Sequence, residues 1–153
     1  MVYYFDSSAL VKRYIEETGS AWVSQLGRSY PSSHFYTVRI TGAEIVAAMF
    51  VRMRTGSIAV PEAQTAVHQF KTDFRQRYQI IEVTPDLIEL AMSLAERHAI
   101  RGYDSVQLAA ALSLQRVRAS LELPALTFVS ADNRLNSVAE AESLLVENSN
   151  DKE

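Results

Sequence analysis

Short β-branched or aromatic runs alternate along the chain with stretches whose apolar residues recur every three or four positions. Val2 to Phe5, His34 to Val38, Gln79 to Val83 and Ala125 to Val129 read as four strands, with Leu144 to Glu147 as a possible last one. Ser7 to about Glu16 is helical in composition, and a short helix from Gly19 carries Trp22, Val23 and Leu26. Thr41 to about Arg54 puts Ile45, Ala48, Met49 and Met53 on one side of a helix. Pro61 suits a first helical turn and leads into the stripe Ala63, Val67, Phe70, Phe74. Thr84-Pro85 gives an N-cap and a first-turn proline before the apolar positions Leu87, Ile88, Ala91, Leu94 and Ala95. Asp104 to about Gln115 is apolar nearly all round, which predicts a buried helix, and Asn133 to Ala139 a short one. Strands separated by helices predict an α/β fold with a mostly parallel sheet covered on both faces.

At 153 residues, without repeats or linkers, the chain reads as one domain over residues 1–147. The tail 148–153 has nothing to bury and is expected to fray. Cysteine is absent, which excludes disulfides, thiolate catalysis and Cys-based zinc sites. No apolar run approaches the ~18 residues of a membrane helix, and Met1-Val2-Tyr3-Tyr4-Phe5-Asp6 lacks the basic start of a signal peptide. A cytoplasmic protein without membrane contact is the expectation. Net charge is −3, which does not suggest a nucleic-acid binder. Its distribution changes that picture. Residues 140–153 hold five acids and one base, so residues 1–139 carry fourteen Lys/Arg against thirteen Asp/Glu. With four of those acids held on metal, the excess would be five positive charges.

Four acids stand out: Asp6 after the first strand, Asp132 after the fourth, Asp104 opening the buried helix, and Glu44 in the first turn of the helix from Thr41. Each also has a purely structural explanation. Asp is a preferred N-cap, and Thr41-Gly42-Ala43-Glu44 fits a capping box. Capping does not explain why two further helices should point acidic N-termini at the sheet edge that Asp6 and Asp132 must share. Clustered carboxylates raise one another's pKa, and a hard cation such as Mg²⁺ or Mn²⁺ relieves that repulsion. Such a site would activate water and neutralise a phosphodiester. Other chemistries lack their residues. There is no GxxxxGK[ST], GxGxxG, HExxH or GxSxG, and Ser8 stands where an aspartyl-phosphate phosphatase would want a second Asp.

Tyr4-Phe5-Asp6-Ser7-Ser8-Ala9-Leu10-Val11-Lys12-Arg13-Tyr14 resembles the N-terminus of PIN-domain toxins of the VapC type. Thr41-Gly42-Ala43-Glu44, the run from Arg101 to Leu112 and Phe128 to Leu135 continue the similarity in family order. The resemblance implies a three-layer α/β/α sandwich and an Mg²⁺-dependent endoribonuclease, the toxin of a toxin–antitoxin pair. It implies a cognate antitoxin and an RNA substrate as partners, and a homodimer. Carried over residue by residue, Asp6, Glu44 and Asp104 match three core acids and Asp132 a fourth, all as catalytic metal ligands, with Ser7 and Ser130 as hydroxyls near the metal. Lys12, Arg13, Arg101 and Arg134 lie in or beside these blocks as RNA or antitoxin contacts. Leu10, Val11, Tyr14 and Ile15, with Ile45, Val46, Met49, Phe50 and Met53, suggest an apolar groove for the antitoxin. The alternative is a non-catalytic, protein-binding module of the same fold.

Overall fold

The computed structural model describes residues 1–152. Its sheet is built from β1 (Val2–Phe5), β2 (His34–Val38), β3 (Gln79–Ile81), β4 (Thr127–Ser130) and β5 (Leu145–Asn148), all parallel, in the order β3-β2-β1-β4-β5. The helices are α1 (Ser7–Leu10), α2 (Ser20–Arg28), α3 (Thr41–Arg54), α4 (Val60–Gln76), α5 (Pro85–His98), α6 (Gly102–Ser120) and α7 (Asn133–Ala141). The α/β sandwich with a parallel sheet is therefore present.

Because side chains alternate across a strand, β1 feeds both faces. Tyr3 and Phe5 pack with Phe35, Val129 and residues of α1 to α4, including Ile45, Met49 and Phe70. Tyr4 points the other way and packs with Phe128, Leu94, Leu108 and Ala109 to Leu112 beneath α5, α6 and α7. The run Ala109-Ala110-Ala111 lets α6 approach the sheet closely, and all three are fully buried. The chain runs from β1 outward through β2 to β3, then returns to the other side of β1 with β4. The switch in strand order thus falls between β1 and β4, and beyond their carboxyl ends such folds form their sites. The Asp6 amide donates to Val129 O at 3.1 Å and fixes that end.

Several expected boundaries shift. The first helix stops at Leu10 and tightens into a 3-10 turn over Val11–Arg13, rather than running to Glu16. Leu10, Val11 and Ile15 thereby enter the core. β3 ends at Ile81, two residues short of Val83, while α6 extends from Gly102 to Ser120. The expected frayed tail from residue 148 is a correction. Asn148 pairs with Ser130 in the sheet, and Ser149–Asp151 form a 3-10 turn in which Ser149 is fully buried. Gly19, at φ +85, is the reason it can seat, since a Cβ there would stand 1.9 Å from Ser149 O. Glu153 lies outside the described residues.

The expected apolar groove is largely core as well: Leu10, Val11, Ile15, Ile45 and Met49 are buried, and Val46 and Tyr14 pack against them. Tyr14 also donates to Asp73 Oδ2 at 2.9 Å and pairs with Tyr78 OH. Phe50 alone of the nine is exposed, at 40%.

Candidate functional site at the end of β1 and β4

Asp6 follows β1 with extended backbone (φ −78, ψ 172) and caps α1, accepting from the Ala9 amide at 2.9 Å. It is 3% exposed. Ser130 Oγ donates to its Oδ2 at 2.7 Å, and Ser8 Oγ lies 2.8 and 3.0 Å from its two oxygens. Burial pushes the Asp6 carboxyl up to about 6 despite those three donors, and the charge of Asp104 adds to the rise.

Glu44 lies in the first turn of α3. Its Oε2 accepts from Ser7 Oγ at 3.0 Å and its Oε1 from Gln107 Nε2 at 2.9 Å. The expected capping box with Thr41 is absent, because the Thr41 hydroxyl accepts from Thr37 and from Gln107, both at 2.8 Å. Burial raises the Glu44 pKa, and Asp104 raises it further.

Asp104 occupies the first turn of α6, whose N-cap is Arg101. It therefore caps nothing, contrary to the structural explanation available from sequence. Its pKa is raised by burial and by Asp132, against the pull of Arg101 at 3.5 Å. Asp132 does cap α7, accepting from the Leu135 amide at 2.9 Å, and its own amide donates to Ser130 Oγ at 3.0 Å. The four acids thus feel one another in a chain in which Asp104 is coupled to the other three. Among the described residues, no three His, Cys, Asp or Glu side chains converge tightly enough to form a ready-made metal cage.

The four basic positions separate. Arg101 is 86% exposed and stands 3.5 Å from Asp104 and 3.9 Å from Asp132. Lys12 is 5% exposed and lies on a cleft beside Ser7, Ser8 and Glu44. Arg13 points away from the acids, with Nε 3.6 Å from Asp73 and its guanidinium packed on Gly27. Arg134 donates to the His98 and Ala99 carbonyls at the end of α5 and lines a small hollow with Arg101, Asp104 and Asp132. Sequence reasoning missed Ser8, Gln107 and Arg52. Ser8 also accepts from the Ala131 amide at 2.9 Å and so ties Asp6 to the turn after β4. The one signal for Gln107 was a lone amide inside the apolar run of α6.

No family model matches the chain. Ribonuclease VapC45 of Mycobacterium tuberculosis (strain CDC 1551 / Oshkosh) is 32% identical over 138 residues, covering 90% of this chain and 89% of its own. Ribonuclease VapC49 of Mycobacterium tuberculosis (strain ATCC 25618 / H37Rv) matches to the same extent. Among solved structures, VapBC2 from Rickettsia felis, bound to a promoter DNA fragment, aligns with a TM-score of 0.63 at 16% identity, covering 97% of this chain and 98% of that one. FitAcB from Neisseria gonorrhoeae aligns with a TM-score of 0.54 at 15% identity over 97% and 98%. The fold is that of the PIN domain. At 32% identity over nine-tenths of its length, the chain belongs to the VapC ribonuclease family.

Proposed function

We propose that the protein is a Mg²⁺-dependent endoribonuclease and the toxin of a toxin–antitoxin pair. The observation that carries the reading is the gathering of Asp6, Glu44, Asp104 and Asp132, from four different elements, beyond the carboxyl ends of β1 and β4. Capping accounts for Asp6 and Asp132 but not for Glu44 and Asp104. A set of mutually repelling, partly buried carboxylates is a functional candidate rather than a stabilising feature.

The donor set fits Mg²⁺ or Mn²⁺: all oxygen and anionic, with the Asp6, Glu44 and Asp104 carboxyls raised in pKa by burial and by like charge. Since the carboxylates do not converge into a closed cage, they would hold a hydrated ion in part through water, as such ions ordinarily keep several waters. When bound, the ion supplies charge neutralisation at the phosphate and a more acidic water. Ser7, Ser8, Ser130 and Gln107 donate to the acids and fix their directions. Arg101 bridges Asp104 and Asp132 from the solvent side, where it can meet a phosphate or an antitoxin carboxylate.

Solved relatives include toxin–antitoxin complexes, which supports a protein partner for this chain. No helix among the described residues is long and apolar enough to cross a membrane.

The test is Mg²⁺-dependent cleavage of single-stranded RNA by parent and Asp6→Asn. Loss of cleavage by about 100-fold or more is expected. An Asp6→Asn chain that cuts RNA at the parent rate returns Asp6 to a capping role, and a parent that cuts no RNA in Mg²⁺ favours the non-catalytic module.

A further inference from the structure

Of the four acids, Glu44 lines one side of a cleft of about 490 Å³, next to the Ser7 and Ser8 that hold Glu44 and Asp6, and the cleft's other side is basic. Ser7, Ser8 and Glu44 line the first side, and Lys12 and Arg52 the second. Lys12 is almost wholly buried, yet its ammonium meets mostly neutral partners. It donates to Thr18 O at 2.7 Å and to Asn150 Oδ1 at 2.8 Å. An ammonium has three N–H donors. Glu17 Oε1, at 3.9 Å, lies beyond hydrogen-bond reach for the third.

Glu17 is also shared. Its Oε2 lies 3.2 Å from Arg52 Nη2. One carboxylate therefore faces two cations, and this wall keeps a net positive charge beside the acidic one. A buried cation that is only partly neutralised is costly unless an anion arrives. The C-terminal turn holds the arrangement in place, because Asn150 also donates from Nδ2 to Ala131 O at 3.2 Å, between Ser130 and Asp132.

A small free anion in this cleft would be repelled by Glu44. A chain that presents one phosphate to the acids and carries the next along the cleft suits both walls. A volume of this size takes one nucleotide. We propose that Lys12 and Arg52 form a subsite for the phosphate adjacent to the scissile one in single-stranded RNA. The assignment rests on the ribonuclease reading and names where that substrate's backbone runs.

The probe is a fluorescent single-stranded RNA that the parent cuts in Mg²⁺, compared with the same oligonucleotide carrying one neutral methylphosphonate next to the cleaved bond. Arg52, 30% exposed, is the first position to change. Arg52→Met should raise KM about tenfold and leave kcat within about twofold, as expected for one lost charged contact. It should also flatten the salt dependence of binding by about 0.7 in log–log slope. Lys12→Met should act in the same direction, with its thermal transition measured alongside. The methylphosphonate should weaken the parent similarly and add nothing further in Arg52→Met. Parent-like KM in both variants, or an undiminished methylphosphonate penalty in Arg52→Met, overturns the subsite while leaving the ribonuclease reading intact. Parent-like cleavage with loss of antitoxin binding also overturns it and assigns the wall to a protein carboxylate. A parent that cuts no RNA in Mg²⁺ or Mn²⁺ removes both readings together.

Discussion

Replacing Asp6 by Asn should remove activity and add stability. Asp6 is 3% exposed, and burial lifts its pKa from an ordinary 3.8 to about 6. A carboxyl whose folded-state pKa is raised binds its proton more tightly when folded, so stability falls as pH rises through that interval. The gap from 3.8 to about 6, at about 1.4 kcal/mol per pH unit, amounts to about 3 kcal/mol of destabilisation above pH ~6.5. Below pH ~3.5 the group is protonated in both states and the penalty vanishes. Asn keeps an oxygen for the Ala9 amide, and its amide group can donate to the Ser130 hydroxyl, so the cap survives. Some of the gain is lost with the charge-assisted bonds from Ser8 and Ser130. The expected net is about 1–3 kcal/mol in favour of Asn at pH 7.5, or roughly 2–10 °C in Tm. The assay is urea unfolding of both chains in EDTA at several pH values from 3.5 to 7.5. Taking the difference between the two cancels the other titrating groups. That difference should be largest above pH 6.5 and shrink steadily toward pH 4. A difference independent of pH, or a less stable Asn chain at pH 7.5, refutes the account.

Gln107→Leu removes the donor to the half-buried Glu44 and the buried Thr41 and the acceptor for the buried Tyr4 OH, and should cost about 2–4 kcal/mol in urea unfolding. In the folded fraction it should also weaken Mn²⁺ binding followed by electron paramagnetic resonance. Gly19→Ala places a Cβ on Ser149 O at a positive φ, so it should cost roughly 1–3 kcal/mol and speed amide exchange in residues 148–151. Purified complex with the antitoxin should cleave RNA poorly, and added Mg²⁺ should restore activity only in part while the partner stays bound. Full restoration without dissociation would contradict competition at the acids.

The short β-branched and aromatic runs and their alternation with helices were legible because strand composition and helix stripes are written in the local sequence. β1, β2 and β4 appear within a residue or two of the expected spans. The shared edge for Asp6 and Asp132 was equally legible, since any acid that ends a parallel strand must lie there. Interactions of long sequence separation were not. Thr41 looks like a capping-box residue until Gln107, 66 positions away, takes its hydroxyl. Lys12 and Arg13 look alike in sequence, and only the fold sends one to the cleft and the other to Asp73. The tail is polar, so nothing local foretold that Asn150 would bond to Lys12, 138 residues away. Composition describes what a segment lacks, not which partner will meet it.

Capping and chemistry, which stand as rivals in the sequence, coexist on Asp6. An ionised carboxylate offers about four acceptor directions. The Ala9 amide, Ser130 and the bifurcated Ser8 contact occupy most of them. Roughly one direction is left, so under the proposed function Asp6 serves as a rigid anchor that makes a single outward contact. Asp104 and Asp132 are the opposite case. Among the described residues, Asp132 accepts one amide and otherwise faces Arg101 at 3.9 Å, and Asp104 faces Arg101 at 3.5 Å. Their free acceptor directions are the ones able to exchange water, cation and a competing guanidinium. An exposed arginine already bridges the pair from this chain, so an arginine brought by a partner would need only to take over the same two carboxylates. Inhibition would then require no change of fold, only the replacement of one cation by another at the pair that the core leaves least committed.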